Sequence, residues 1–404
     1  MSVFLKDLDK VYGYEDLLYR INHSSAYKPC FQTSDLYDFF TNLLVGLVSD
    51  SPLVLLDADL NFSELSGLNV REINIEKPVV KKQYASLEDL VKAVQTSLSE
   101  ITIFTSGTTG QPKQVRHTIQ TLTRSVRIGT GYQGQVWGFA YNPTHMAGLQ
   151  VFFQAFENLN TLVNIFNRSR SEVNAVLKSA GITHLSATPT FYRLLLPVEE
   201  VFEKVQRVTL GGEKSDQKLY DFIRQLFPCA RINNVYASTE AGSLFAARGE
   251  NFQIPENFSD KFRVEDSELL IHKSLLGESE SFQYSGEYYR TGDLIEWVDE
   301  SKGIFRFKSR KNELINIGGY KVNPEEVEDI LLQIEGVQQA VVYGKPNSVL
   351  GNVLCAELKV LSGMELTELQ IRQYLQGKLQ DFKIPRRIKF VEQFLLTRTG
   401  KIKR

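Results

Sequence analysis

Cysteine is scarce in this chain. Cys30, Cys229 and Cys355 are scattered, odd in number and without a C-x-x-C spacing, which argues against a disulfide framework or a zinc site and fits a reducing compartment. The five histidines, His23, His117, His145, His184 and His272, show no metal-ligand spacing either. Neither sign of charge is in excess: 46 Lys and Arg against 48 Asp and Glu leave a formal charge of -2. That balance gives no global drive toward nucleic acid or an anionic membrane, so any anion must be bound locally. No apolar run approaches the ~20 residues that span a bilayer. The most apolar neighbourhood, residues 43–56, is broken by Ser49-Asp50-Ser51-Pro52, and residues 1–20 lack the apolar core of a signal peptide. The expectation is a cytoplasmic protein with no membrane span and no nucleic-acid partner. No internal repeat or low-complexity tract is present.

What the chain does contain is enough apolar material for more than one domain: 404 residues, 42% hydrophobic. Ser34-Asp35 can cap a helix through about residue 47, and Pro52 introduces Leu53-Val54-Leu55-Leu56, apolar on both faces like a buried parallel strand. Apolar residues at Leu87, Leu90, Val91, Val94 and Leu98 give a helical stripe. Short strand-like runs at 136–140, 162–166, 182–187, 205–210 and 231–235 then alternate with helical segments. This rhythm predicts an α/β fold with a mostly parallel, helix-covered sheet whose ligand sites lie beyond the C-terminal strand ends. From Glu265 strands without a long helix predict a smaller β subdomain. Asn323-Pro324-Glu325-Glu326 starts a helix with a cap, Pro at its first position and acids at the positive dipole end. With the strands and helix after it, this predicts a small α+β C-terminal domain.

The stretch Thr105-Ser106-Gly107-Thr108-Thr109-Gly110-Gln111-Pro112-Lys113 is expected after a strand and before a helix. Its glycines allow close backbone approach, and its hydroxyls and Lys113 suit phosphate. The spacing is not GxxxxGK[ST], so a P-loop NTPase is a poor reading. Three other loops in equivalent positions carry chemistry: residues 143–148 with His145 and Gly148, Gly211-Gly212-Glu213, and residues 236–242. Taken singly, each has a plain structural reading. Tyr236 could be a core aromatic, Glu240 a solvated acid, Asp293 an Asx turn, Arg310 part of a surface charge run and Lys401 an ordinary basic tail.

Together with Tyr236-Ala237-Ser238-Thr239-Glu240, Tyr289-Arg290-Thr291-Gly292-Asp293, Ser309-Arg310-Lys311-Asn312-Glu313 and Thr399-Gly400-Lys401-Ile402, the loop resembles, in order and approximate spacing, the adenylate-forming superfamily. That group includes acyl-CoA synthetases, 4-coumarate- and succinylbenzoate-CoA ligases and adenylation domains. The resemblance implies that Thr105, Ser106, Gly107, Thr108, Thr109, Gly110 and Lys113 wrap the ATP phosphates. Tyr236 would lie against adenine, with Gly211, Gly212 and Glu213 completing the nucleotide site. Thr239 would meet the α-phosphate, Glu240 would hold Mg2+, and Asp293 and Arg310 would bind the ribose. Lys401 would bridge the substrate carboxylate and the α-phosphate, stabilising charge that grows as the carboxylate attacks.

The resemblance further implies an N-terminal AMP-binding domain over residues 1–311 and a mobile C-terminal domain over 313–404, pivoting near Asn312. The Gly318-Gly319-Tyr320 turn would serve the thiol step, with coenzyme A or the phosphopantetheine of an acyl carrier protein as acceptor. By the same resemblance, His145 and Gly148 would belong to the acyl-pocket wall. Tyr132, Met146, Phe152, Phe191 and Tyr192 are further candidates for an apolar or aromatic pocket. Residues 141–153 contain no acid, which favours a small carboxylic acid without an α-amine. The chain departs from the family pattern at Asn312, Ser309 and Leu396, and only about a hundred residues precede the phosphate loop, so the first subdomain is expected to be shortened. The expected reaction is ATP-dependent activation of the acid to acyl-AMP, then transfer to the thiol. A carrier-protein ligase, a stand-alone adenylation enzyme and an inactive nucleotide-binding regulator are the alternatives.

Overall fold

A computed structural model describes residues 2–402, apart from 69, 71, 81, 106–112, 318–319, 348–350 and 398–400. Its largest sheet has fourteen strands and changes character at Arg231–Ser238. On one side of that strand lie Arg207–Gly211, His184–Ala187, Val136–Phe139, Thr161–Asn164 and Val3–Asp7, joined by parallel pairings. On the other side, Gly242–Arg248 turns back antiparallel, and the strands through Phe262–Glu265 follow it. The β-rich segment expected as a subdomain is therefore continuous in hydrogen bonding with the parallel half.

The residues before the phosphate-type stretch are built into the body of the protein. Val3–Asp7 extends the parallel sheet beside Thr161–Asn164. The helix Leu36–Val48, capped by Asp35 accepting from the Asp38 amide at 2.9 Å, is buried nearly all round. That suits its lack of a polar face. Phe40 stacks on Phe152 of the helix Met146–Phe156 with centroids 4.2 Å apart, and Phe4 meets both edge-on. Phe152 and Tyr192, expected as pocket candidates, are instead fully buried core. Tyr192 spends its hydroxyl on the Leu185 and Thr209 carbonyls, 3.0 Å from each.

A second sheet orders Cys30–Gln32, Leu53–Leu56, Ile101–Thr105 and Lys113–His117. The last two pair antiparallel, Thr105 opposite Lys113. The strands on either side of the phosphate-type stretch thus pair with each other, and the helix Ile119–Thr123 comes after the second of them. Val115 and His117 alternate inward in the second strand, as a strand pattern requires.

The tail packs the strands Val337–Asn347, Gly351–Val360 and Arg387–Phe390 against the helices Pro324–Leu331 and Glu368–Gln376 around its own core. Asn323 caps the first helix through the Glu325 amide at 3.2 Å. No helix among the described residues is long and apolar enough to cross a membrane.

Candidate active site

A cleft of about 1110 Å³ opens along one face of the large sheet and reaches to the tail. Strand register decides its floor. Gly211 pairs with Val235, Ser186 with Thr209 and Thr209 with Asn233, while His184, Arg207 and Arg231 form the next row. All of these line the cleft, as side chains two residues apart on a strand must share a face. The intervening Leu185, Val208 and Leu210 are buried in the hydrophobic core.

At one end Tyr236, Asp293 and Arg310 form a closed unit. Asp293, almost fully buried, accepts from the Tyr236 hydroxyl at 2.5 Å and from Arg310 Nε at 2.6 Å. Asp293 and Arg310 face each other across neighbouring antiparallel strands, which is why residues 17 apart meet. The Tyr236 ring stacks on Phe307 at 4.5 Å. Burial and then the Asp293 charge raise the Tyr236 phenol well above its ordinary value, so it stays protonated. The same carboxylate raises Arg310.

Lys401 reaches this end from the tail. Its side chain lies over Gly212, where a Cβ would sit 3.7 Å from Lys401 Cε. Gly212 itself has φ +81, a conformation that favours glycine. Loss of water is the largest influence on the Lys401 ammonium and Arg310 the next, and both lower its pKa; Glu213, Glu313 and Asp293 act the other way. The lysine is held in place by its own short bridge, with the Thr397 amide donating to the Lys401 carbonyl at 2.6 Å. Lys214 pairs with Asp329 at 2.6 Å, and Lys218 donates to the Leu332 carbonyl, docking the helix Pro324–Leu331 beside the loop that follows Gly212. Glu213 accepts from the Thr190 amide at 2.9 Å.

Thr239 and Glu240 occupy the turn between Arg231–Ser238 and Gly242–Arg248 and line the cleft. Two residues that the sequence reading overlooked hold this turn from outside. His117 Nε2 donates to the Thr239 carbonyl at 2.9 Å, and Arg124 donates to the carbonyls of Ala241 and Leu275. Burial pushes His117 down to about 4, so the imidazole is neutral at pH 7. Gly277 closes against it: a Cβ there would fall 2.5 Å from His117 Cε1. His117 was visible only as an isolated histidine, and its inward position in the hairpin was the missing signal.

His145 precedes the helix Met146–Phe156 but does not cap it with its side chain. Its Nε2 lies 3.1 Å and 3.2 Å from the two oxygens of Asp57, which also accepts from Asn142 Nδ2 at 3.1 Å and from the Thr144 hydroxyl. Asp57, just beyond the strand Leu53–Leu56, therefore binds the whole loop to the first part of the chain. Gly148 is required here, since a Cβ would come within 2.2 Å of the Asn142 carbonyl oxygen. Tyr132, His145 and Met146 line the cleft, as does the exposed Lys113.

The expected phosphate-loop residues Ser106, Gly107, Thr108, Thr109 and Gly110 lie outside the described residues, as do Gly318 and Gly319. Tyr320, exposed, stacks on Phe382 at 4.6 Å. No group of three or more His, Cys, Asp or Glu able to hold a metal is found among the described residues. Glu240, lining the cleft, is the carboxylate the sequence reading assigned to an ion shared with phosphates.

Comparison with known proteins agrees with this geometry. The AMP-binding enzyme family model matches residues 66–261, and the AMP-binding enzyme C-terminal domain matches 326–401. The chain is 26% identical to 4-hydroxybutyrate--CoA ligase 1 of Metallosphaera sedula, covering 89% of this chain and 70% of that protein. It is 25% identical to 2-succinylbenzoate--CoA ligase of Staphylococcus epidermidis, covering 84% and 75%. ATP-bound MatB from Rhodopseudomonas palustris superposes with a TM-score of 0.76 at 15% identity, over 99% of this chain and 94% of that one. The o-succinylbenzoate CoA synthetase of Bacillus subtilis, in complex with its acyl-adenylate intermediate, gives 0.73 at 18% identity over the same shares. The shared fold, the matched domains and the ordered motifs agree: the chain belongs to the AMP-binding, adenylate-forming enzyme family.

Proposed function

We propose that the protein is an AMP-forming acid–thiol ligase that activates a small carboxylic acid with ATP and passes the acyl group to coenzyme A. A carboxylate oxygen of the substrate attacks the α-phosphorus, the bond to pyrophosphate breaks, and acyl-AMP forms. The thiol sulfur then attacks the acyl carbon, AMP leaves, and the thiol proton passes to solvent. The observation that carries this reading is Lys401 of the tail, partly buried over Gly212 beside the Tyr236–Asp293–Arg310 unit. A lysine brought there from a separate packing unit is suited to the charge that gathers between carboxylate and α-phosphate.

In this scheme Arg310 and Asp293 orient the ribose, and Tyr236, fixed by Asp293 and backed by Phe307, walls the adenine. Thr239 meets the α-phosphate, and residues 105–113 hold the outer phosphates. Glu240 would share a Mg2+ ion with those phosphates, adding positive charge at the leaving group. Residues 1–311 and 313–404 act as two bodies pivoting at Asn312, so that Gly318-Gly319-Tyr320 replaces Lys401 for the thiol step. A carrier-protein phosphopantetheine is the second acceptor to test, and a cytoplasmic location fits a user of ATP and coenzyme A. Pyrophosphate release is the test. It should depend on an added acid, and thioester should then form with coenzyme A. ATP binding without acid-dependent release across fatty, aryl and hydroxy acids would instead favour a nucleotide-binding regulator.

A further inference from the structure

The cleft is electrically lopsided. Its acidic lining residues, Glu240, Glu268, Asp293 and Glu313, all stand near the nucleotide end, among Arg290, Arg310, Lys311 and Lys401. Toward the other end the lining contains Arg207 and Arg231. These two are Cα partners on adjacent parallel strands, and both are exposed. Neither has an acidic partner among the described residues. Two like charges side by side on neighbouring strands repel each other, and among the described residues no carboxylate pairs with either. Arg127 adds a third positive charge to the same lining, its backbone tied to Gln154 on the facing helix.

The floor between the two ends is polar. Ser186, Thr209 and Asn233 form the row next to the arginines, where a fatty chain would displace water from polar groups. Gly211 lies four positions beyond Arg207, about 13 Å of extended strand, so the arginines stand one small-molecule length from the reacting end. His184 lies in the arginine row beside Trp137, at 4.9 Å. Burial, with the Arg207 charge assisting, holds it down to about 4, so at neutral pH it contributes hydrogen bonding without charge.

We propose that this end of the cleft is an anion subsite, and that the acid activated is a dicarboxylic acid whose distal carboxylate is held by Arg207 and Arg231. This inference rests on the ligase reading and names its substrate class. A planar guanidinium pair matches a carboxylate better than a lysine would.

The test uses the full chain with ATP and Mg2+, and measures acid-dependent pyrophosphate release for dicarboxylic acids of graded length, each beside its distal monomethyl ester. The expected result is a preference of about 10- to 100-fold in kcat/KM for the best diacid over its ester, the range that charged hydrogen bonds supply. In Arg207→Gln/Arg231→Gln that ratio should fall toward one, mainly through KM. The single substitutions read the same ratio if the double variant melts abnormally. A wild-type ratio near one, or an unchanged ratio in the variants, overturns the subsite while leaving the ligase reading intact. No release with any acid overturns the ligase reading and the subsite together.

Discussion

The two ends of one cleft are built on opposite principles. At the nucleotide end the charged groups arrive already paired: Asp293 holds Tyr236 and Arg310, and the Thr239–Glu240 turn is gripped by His117 and Arg124. At the acyl end Arg207 and Arg231 stand on a polar floor without acidic partners among the described residues. Pairing fixes geometry before a ligand arrives, which suits a nucleotide that every turnover must seat alike. Unpaired charge stores its interaction for a ligand and so carries selectivity. Lys401 reaches the nucleotide end from the tail, and its replacement should separate the two half-reactions most sharply. In Lys401→Ala, acyl-AMP formation should fall by about 10²- to 10³-fold, the scale of losing one preorganised charge-stabilising group. Thioester formation from supplied acyl-AMP should fall far less. Equal loss in both half-reactions, measured by pyrophosphate release and by thioester yield, would remove Lys401 from the adenylation step alone.

The next effect concerns stability, because each end keeps one buried neutral histidine. His117 supports the nucleotide turn and His184 floors the acyl end, and burial holds both near 4. A histidine whose pKa is depressed in the folded state binds its proton more readily when unfolded. Its contribution is therefore full above about pH 6.5 and is lost as pH falls toward 4. At pH 5 each should cost about 2 kcal/mol. Melting temperature should drop between pH 7 and pH 5, and His117→Gln should remove about half of that dependence. A flat profile in the wild-type protein would mean that neither ring is held neutral.

The same contrast explains what the sequence could reveal. The nucleotide end is written in contiguous motifs: Tyr236 to Glu240 run from a strand end into one turn, and Asp293 and Arg310 sit on consecutive strands, so a local pattern brings these residues together. The alternation of strands and helices likewise announced the parallel half of the sheet. The acyl end is assembled by register. Arg207 and Arg231 are single residues at the starts of two separate strands and look like ordinary surface arginines until the pairing puts them side by side. Phe152 and Tyr192 had pocket-like chemistry, yet strand and helix faces turned them into the core. Asp57 is 85 residues from Asn142 and lies in no motif.

Asp57 gives the finest test of the contrast, because its carboxylate holds the loop that carries His145. Its carboxylate gathers Asn142, Thr144 and His145 at the mouth of the helix Met146–Phe156. Replacement by Asn keeps the size and one acceptor oxygen, so Thr144 and Asn142 can still donate to it. The new amide, however, meets His145 Nε2 with a donor where a carboxylate oxygen stood. Loss of one hydrogen bond to a charged acceptor is worth about 1–2 kcal/mol, or roughly tenfold. Asp57→Asn should therefore raise KM for the acid by about tenfold while KM for ATP stays within about twofold of wild type. If both constants rose together, the Asp57 cluster would be holding the cleft as a whole. An unchanged acid KM would show that His145 needs no partner from the first part of the chain.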